Sequence, residues 1–298
     1  MERRRGVVVR FGSRNMEVVD SELGGRVICT MPGRFRTQGI RPIVGDVIEY
    51  IISSDGEGRI ESILPRKNEL LRPRISNIEQ IILVLSLREP EVQSFVTDRF
   101  LLLASIAKLP VVIVVNKIDL LRGEELEVFS AVYGEDYDII PVSSKQKTNI
   151  DRLRETLKGK TSAMAGMSGV GKSSLLNTLN PGLQLRVSEI SRTLERGKHT
   201  TSYAELLQFD FGGLIADTPG FANLELPRIP SGELQRHFPE IAQEKGMCAF
   251  SNCSHLDEPG CYVKELVEAG DIARSRYESY LKMFLELKDR EVVKGGRR

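Results

Sequence analysis

Residues 162–179, "SAMAGMSGVGKSSLLNTL", run from small apolar residues through a glycine-rich turn into a stretch of helical character. The centre, "GMSGVGKS" (166–173), satisfies the pattern G-x-x-x-x-G-K-[ST] in the strand-to-helix setting that the pattern requires. Its glycines let backbone N–H groups turn inward, and the positive end of the following helix adds potential for an anion. Gly166, Met167, Ser168, Gly169, Val170, Gly171, Lys172, Ser173 and Ser174 are therefore expected to cradle the phosphates of a nucleotide. Lys172 is placed to bridge the β and γ phosphates, and the Ser173 hydroxyl to ligate Mg²⁺.

Working outward toward the C-terminus, "DTPG" (217–220) follows the apolar "GLIA". That spacing predicts Asp217 near Mg²⁺ and the Gly220 N–H near the γ-phosphate. Between the two motifs lies "ERGKHTTSY" (195–203), in which Thr200 or Thr201 can close on Mg²⁺, with Thr201 preferred. Toward the N-terminus, "VVIVVNKID" (111–119) reads as a buried strand ending in a polar loop. Asp119 can accept from guanine N1–H and N2–H₂, Asn116 can meet the opposite edge, and Lys117 can lie over the ring. Adenine lacks that donor pair. "IIPVSSK" (139–145) adds Ser143, Ser144 and Lys145, whose backbone can close over the base.

The base-reading loop thus precedes the phosphate loop, the reverse of the usual order. In a doubly wound sheet the ligand loops lie at the carboxyl ends of parallel strands, and strand neighbours, not the position of the chain ends, set their arrangement. Joining the old termini and opening another connection leaves such a site intact. The expectation is a circularly permuted nucleotide domain whose switch segment, after "DTPGF", runs directly into whatever follows.

Continuous apolar runs alternating with helical patterns support a mostly parallel α/β sheet over residues 71–226. Before it, "GVVVRF", "MEVVD", "RVICTM", "DVIEYII" and "GRIESIL" are short β-like runs separated by turn residues. Five such runs suit an all-β OB-like barrel over residues 1–70. Its connection "PGRFRTQGIRP" (32–42) carries Arg34, Arg36 and Arg41 without an acid, which is either an RNA contact or a solvated turn. Beyond Pro227 the strand signals stop. Over residues 227–298 a mainly helical segment is expected, with Ala273, Tyr277, Tyr280, Phe284 and Leu287 at core-facing spacing and Asp271 as a helix cap behind Gly270.

Three of the four cysteines, Cys248, Cys253 and Cys261, crowd beside His255, one of only three histidines, while Cys29 stands apart. Cys-x4-Cys-x-His-x5-Cys is a Cys₃His donor set suited to one structural Zn²⁺. Across 298 residues, 42 basic groups face 41 acidic ones, so no global field draws the chain to nucleic acid or membrane. The longest apolar runs, "IILVLSL" and "LPVVIVV", are far shorter than the roughly 18 residues needed to cross a bilayer, and three apolar residues after "MERRR" do not make a secretory segment. A cytoplasmic protein without membrane contact, and a monomer, is expected.

The order "NKID", "SSK", "GMSGVGKS", "GKHTT", "DTPG", set between a barrel and a Cys/His segment, resembles the ribosome small-subunit-dependent GTPase A family. The resemblance covers nearly the whole chain. It implies a cytoplasmic bacterial GTPase that cycles between GTP and GDP, binds the 30S subunit and its 16S rRNA late in maturation, is stimulated there, and leaves after hydrolysis. This sequence departs from similar proteins at Lys198, where an Arg is common, and at Ser202, where a further Thr is common. Where many GTPases place a water-orienting Gln, it has Phe221, so unaided turnover should be slow. His199 is the internal candidate to orient water, beside Lys172 and Thr201 as the other catalytic candidates. Phe221 also leaves a second possibility open: a nucleotide-gated RNA-binding scaffold in which hydrolysis is incidental.

Overall fold

The computed structural model describes residues 3–12, 15–53, 56–71, 74–183, 205–217 and 225–295. Near the N-terminus, β1 (Arg3–Phe11), β2 (Asn15–Asp20), β3 (Arg26–Thr30), β4 (Val47–Ile52) and β5 (Gly58–Ile63) close into a barrel in the order β1-β2-β3-β5-β4. Neighbours are antiparallel except β3 and β5, which meet in parallel, and β1 returns to pair with β4. Alternation along the strands sends Val8, Met16, Val18, Cys29, Ile48, Tyr50 and Ile60 inward. Burial pushes the Cys29 thiol up to about 12, leaving it a small apolar side chain rather than a nucleophile.

One expectation changes here. The basic connection after β3 is not only a loop: it contains a short helix, α1 (Gly33–Thr37), whose Phe35 packs into the barrel core. Arg34 lies 5.5 Å over the Phe35 ring and donates from Nη2 to Glu61 O at 3.0 Å. Its charge is partly committed to the barrel itself.

A hairpin of β6 (Glu69–Leu71) and β7 (Arg74–Ser76) leads to a six-stranded sheet. Its strands are β8 (Gln80–Ser86), β9 (Val111–Asn116), β10 (Asp138–Pro141), β11 (Thr161–Ala165), β12 (Leu206–Gln208) and β13 (Leu214–Asp217), ordered β10-β9-β8-β11-β13-β12. All pairs are parallel except β12 with β13. Every residue of β8, "QIILVLS", is buried, because helices cover both faces. Ile81, Leu83, Leu85, Ile113 and Val115 pack against α2 (Ser94–Ile106) and α3 (Glu125–Tyr133). The alternate residues Ile82, Val84, Val112 and Val114 pack against α4 (Ile150–Leu157) and α5 (Lys172–Leu179). Each such aliphatic side chain contributes about 1.5–3 kcal/mol on full burial. Because the strands run parallel, the loops after β8, β9, β10 and β11 emerge on one rim, where β13 also ends.

After a 3₁₀ segment at Ser231–His237 come α6 (Pro239–Ala242), α7 (Tyr262–Ala269) and α8 (Arg274–Gly295). Tyr277, Tyr280, Phe284 and Leu287 are buried as their spacing requires, in a cluster that also takes in Leu102 of α2. Asp271 does not cap α8. Gly270, at φ 89°, closes α7, and the Asp271 N–H donates back to Leu266 O at 2.9 Å, so both residues finish one helix instead of starting the next. Among the described residues no helix is long and apolar enough to cross a membrane.

Candidate functional site

The glycine-rich loop leaves β11 at Ala165 and re-enters helix at Lys172. Gly166 (φ 138°) and Gly171 (φ 93°) hold backbone conformations that L side chains rarely adopt. Space forbids a side chain as well: a Cβ on Gly166 would fall 2.2 Å from Val84 O, and one on Gly171 2.3 Å from Asn116 Nδ2. Val170 is buried and anchors the loop, while Met167, Ser168 and Gly169 are exposed. Gly171 is the N-cap of α5 and offers no side-chain cap, so first-turn N–H groups face the loop in the manner that suits an anion. Lys172 Nζ arches across the loop and donates to Gly166 O at 2.7 Å and Met167 O at 2.9 Å.

Asn116, at the end of β9, is fully buried. Its Nδ2 donates to Val170 O at 2.9 Å and its Oδ1 accepts from Ser144 N at 3.2 Å. One side chain therefore staples three loops: its own, the phosphate loop and the loop after β10. The register Ser86↔Asn116 and Val115↔Pro141 brings the ends of β8, β9 and β10 level, which makes this reach possible. Asp119 follows in a short 3₁₀ turn, and Ser143 Oγ donates to its Oδ1 at 2.5 Å, fixing the carboxylate while leaving Oδ2 outside that bond. Ser143 Oγ also accepts from Gln146 N at 3.0 Å, and Thr178 Oγ1 of α5 donates to Ser144 O at 3.3 Å. Lys145 is exposed beside them. Lys117, at φ 64°, sends Nζ to Glu89 O in the loop after β8. None of the nucleotide motifs includes that loop, and its sequence signal is a Pro90 soon after an apolar strand.

Of the residues expected to hold Mg²⁺, Ser173 and the backbone of Asp217 lie on described elements. Ser173 lies in the first turn of α5, Ser174 follows it, and the backbone of Asp217 ends β13 in register with Met164 of β11. Thr200, Thr201, His199, Gly220 and Phe221 lie outside the described residues.

The second cluster lies between the 3₁₀ segment and α7. The ligand atoms of Cys248, Cys253, His255 and Cys261 all fall within 4.8 Å of one another. His255 Nδ1 is 3.6 Å from Cys248 Sγ and 3.5 Å from Cys261 Sγ. A tetrahedral Zn²⁺ with Zn–S of about 2.3 Å and Zn–N of about 2.0 Å sets N···S edges of about 3.5 Å, so the residues present fit the ion. His255 Nε2 lies 3.1 Å from Gln235 Oε1, a bond that puts the proton on Nε2 and leaves Nδ1 as the donor atom. Burial pushes the Cys253 thiol up to about 12, raises Cys261, and lowers His255. A divalent cation would offset the cost of thiolate charge there. From α8, Tyr277 Oη donates to His255 O at 2.6 Å and Tyr280 Oη to Ser254 O at 2.9 Å, so the helix stripe also shapes the metal loop.

A family model described as RsgA GTPase matches residues 63–227, more than half of the chain. The chain belongs to the RsgA GTPase family. Among similar proteins, the small ribosomal subunit biogenesis GTPase RsgA of Thermotoga petrophila is 50% identical over 288 residues, 96% of this chain and 97% of that protein. The RsgA of Carboxydothermus hydrogenoformans is 44% identical over 260 residues, 87% of this chain and 89% of the relative. Among solved structures, YjeQ from Thermotoga maritima superposes with a TM-score of 0.84 at 47% identity, covering 96% of this chain and 99% of that one. YloQ, a circularly permuted GTPase, gives 0.81 at 33% identity, with 97% and 96% covered. Membership of the RsgA family makes the chain a GTPase, and the inverted loop order is the permutation expected from the motifs.

Proposed function

We propose that this RsgA-family chain binds GTP at the sheet rim and hydrolyses it as a step in small ribosomal subunit biogenesis, the process named for its curated relatives. The observation that carries the reading is the Asn116 staple, which ties the base-reading, base-covering and phosphate loops into one cradle. In this cradle the Asp119 carboxylate, oriented by Ser143, accepts from guanine N1–H and N2–H₂. Lys117 and the Ser144–Lys145 backbone flank the base. The glycine-rich backbone and Lys172 hold the phosphates and neutralise charge that develops on them. Ser173, Asp217 and one of Thr200 and Thr201 would hold Mg²⁺, which when bound supplies further neutralisation of the phosphates. Gly220 senses the γ-phosphate, and His199 orients the attacking water.

The barrel, taken as residues 1–70, and the helical zinc segment, residues 227–298, are the RNA-binding parts flanking a GTPase domain of residues 71–226. The protein acts as a cytoplasmic monomer that binds 16S rRNA in the 30S subunit with GTP, checks late maturation, and leaves after hydrolysis. Zn²⁺ has a structural part only, since four protein donors fill a tetrahedron. GTP turnover measured with and without purified small subunits tests this. Strong acceleration supports it. No acceleration, with GTP still bound, points to the scaffold alternative that Phe221 in the water-orienting position keeps in view.

A further inference from the structure

The rim holds one loop that none of the nucleotide motifs includes. After β8 the chain passes through Ser86, Arg88, Glu89 and Pro90, and it is tied down at several points. Ser86 Oγ donates to Arg88 O. The Arg88 guanidinium reaches across to α3, where Nε donates to Glu125 Oε1 at 2.6 Å and Nη2 donates to the same oxygen. The other oxygen of Glu125, Oε2, accepts from Arg122 N at 2.5 Å, just beyond the "NKID" loop. The last tie is Lys117 Nζ donating to Glu89 O. These bonds close a ring: β8 loop to α3, α3 to the chain leaving "NKID", and "NKID" back to the β8 loop. Pro90 Cδ, in turn, stands 3.5 Å from where a Cβ on Gly169 would lie, so the ring also abuts the phosphate loop.

We propose that Arg88 and Glu125 are positioning residues for guanine recognition: their ion pair holds Glu89 O where it fixes Lys117 beside the base. The proposal rests on the guanine-site reading above. Its physical core is a contrast of magnitudes. The Arg88 and Glu125 side chains are 38% and 29% exposed, and an ion pair so placed adds little to global stability. What it supplies is geometry. Lys117 and Glu89 both hold left-handed backbone, φ 64° and 53°, so neither loop is expected to keep this shape without its ties. The hydrogen bond that depends on them is charge-assisted, from an ammonium to a carbonyl. Losing the pair should therefore be felt in nucleotide release far more than in unfolding.

A double-mutant cycle tests this on the full-length protein, with a fluorescent GDP analogue as the probe. Arg88→Ala and Glu125→Gln are each expected to speed GDP release about tenfold. The double variant should release no faster than the faster single, because both changes open the same ring. The unfolding midpoint should move by at most about 3 °C. Unchanged release in both single variants overturns the proposal, and so do effects that multiply to roughly a hundredfold in the double, since that is the result for two independent sites. Asp119→Ala serves as the reference. If the parent binds GDP and Asp119→Ala weakens it, the guanine-site reading stands whatever the Arg88 variants do. If the parent binds no GDP, that reading falls and this inference with it.

Discussion

Asn116 shows how a motif residue can carry a part that its motif does not disclose. The pattern N-K-x-D suggests a side chain aimed at the base, yet in the structure both ends of the Asn116 amide are bonded to protein, one to Val170 O and one to Ser144 N. In the proposed site Asp119 is the main base-selecting residue, its carboxylate oriented by Ser143 and presenting acceptors to guanine. Asp119→Asn replaces one acceptor with a donor. Guanine then loses a partner for N1–H or N2–H₂, while xanthine, which carries an oxygen at C2, gains one. The variant is expected to bind GTP roughly 10- to 100-fold more weakly and xanthosine triphosphate more tightly than the parent, as read by competition against a fluorescent nucleotide. The water-orienting role proposed for His199 is separable from nucleotide binding. His199→Ala should bind GTP as the parent does and lose most of the hydrolysis that small subunits stimulate; the same stimulated rate in both proteins would move the water-orienting role elsewhere.

The strands were legible in the sequence wherever side chains alone set their burial. "QIILVLS" offers no solvent face, so it had to lie inside a covered sheet, and the barrel runs alternate as one-sided strands do. What stayed hidden depends on neighbours distant in sequence. Phe35 turns a basic connection into a helix because the barrel has an opening for it, and the β8 loop belongs to the rim only because Lys117 reaches it. Asp271 misled because a good cap residue followed a glycine, and only the bond to Leu266 O shows which helix that glycine ends. The metal loop was legible from donor spacing, but its supports were not: Gln235, Tyr277 and Tyr280 come from other elements. These supports allow a prediction. The purified protein should contain one zinc per chain, and Cys253→Ser should lose it. Without the ion, burial makes the site hostile to the charged forms of Cys253, Cys261 and His255. The 248–261 segment should then open locally, seen as faster amide exchange there and in α7, with the sheet still protected.

The whole molecule is assembled around the sheet, and polar contacts pin joints that also carry apolar packing. On one side, Gln208 Nε2 at the end of β12 donates to Gly24 O of the barrel at 2.6 Å, with Arg26 Nε 3.4 Å from Gln208 Oε1. On the other, α8 docks on α2 through Arg99 with Glu286 at 2.7 Å and Arg276 with Asp98 at 2.6 Å. Arg276 and Asp98 are only 3% and 1% exposed. Arg276 also holds Glu240 at 2.7 Å and lies 4.8 Å over the Phe238 ring, while Tyr133 Oη donates to Asp98 Oδ1 at 3.0 Å. Residues from α2, α3, α6 and α8 thus meet at one buried charge pair, which makes it one polar joint between the sheet domain and the C-terminal helical segment. A buried pair of this kind gives little net stability over an apolar substitute, but it is costly to break from one side. Arg276→Met leaves the Asp98 carboxylate buried without its cation and should cost about 3–5 kcal/mol in denaturant unfolding. Asp98→Leu combined with Arg276→Met removes the buried pair and should recover part of that loss, Glu240 being left without its cation at the partly exposed edge. If the pair also fixes how α8 sits on α2, the double variant should respond less to small subunits in the turnover assay proposed above. Equal stimulation in the double variant and the parent would show that the joint serves stability alone.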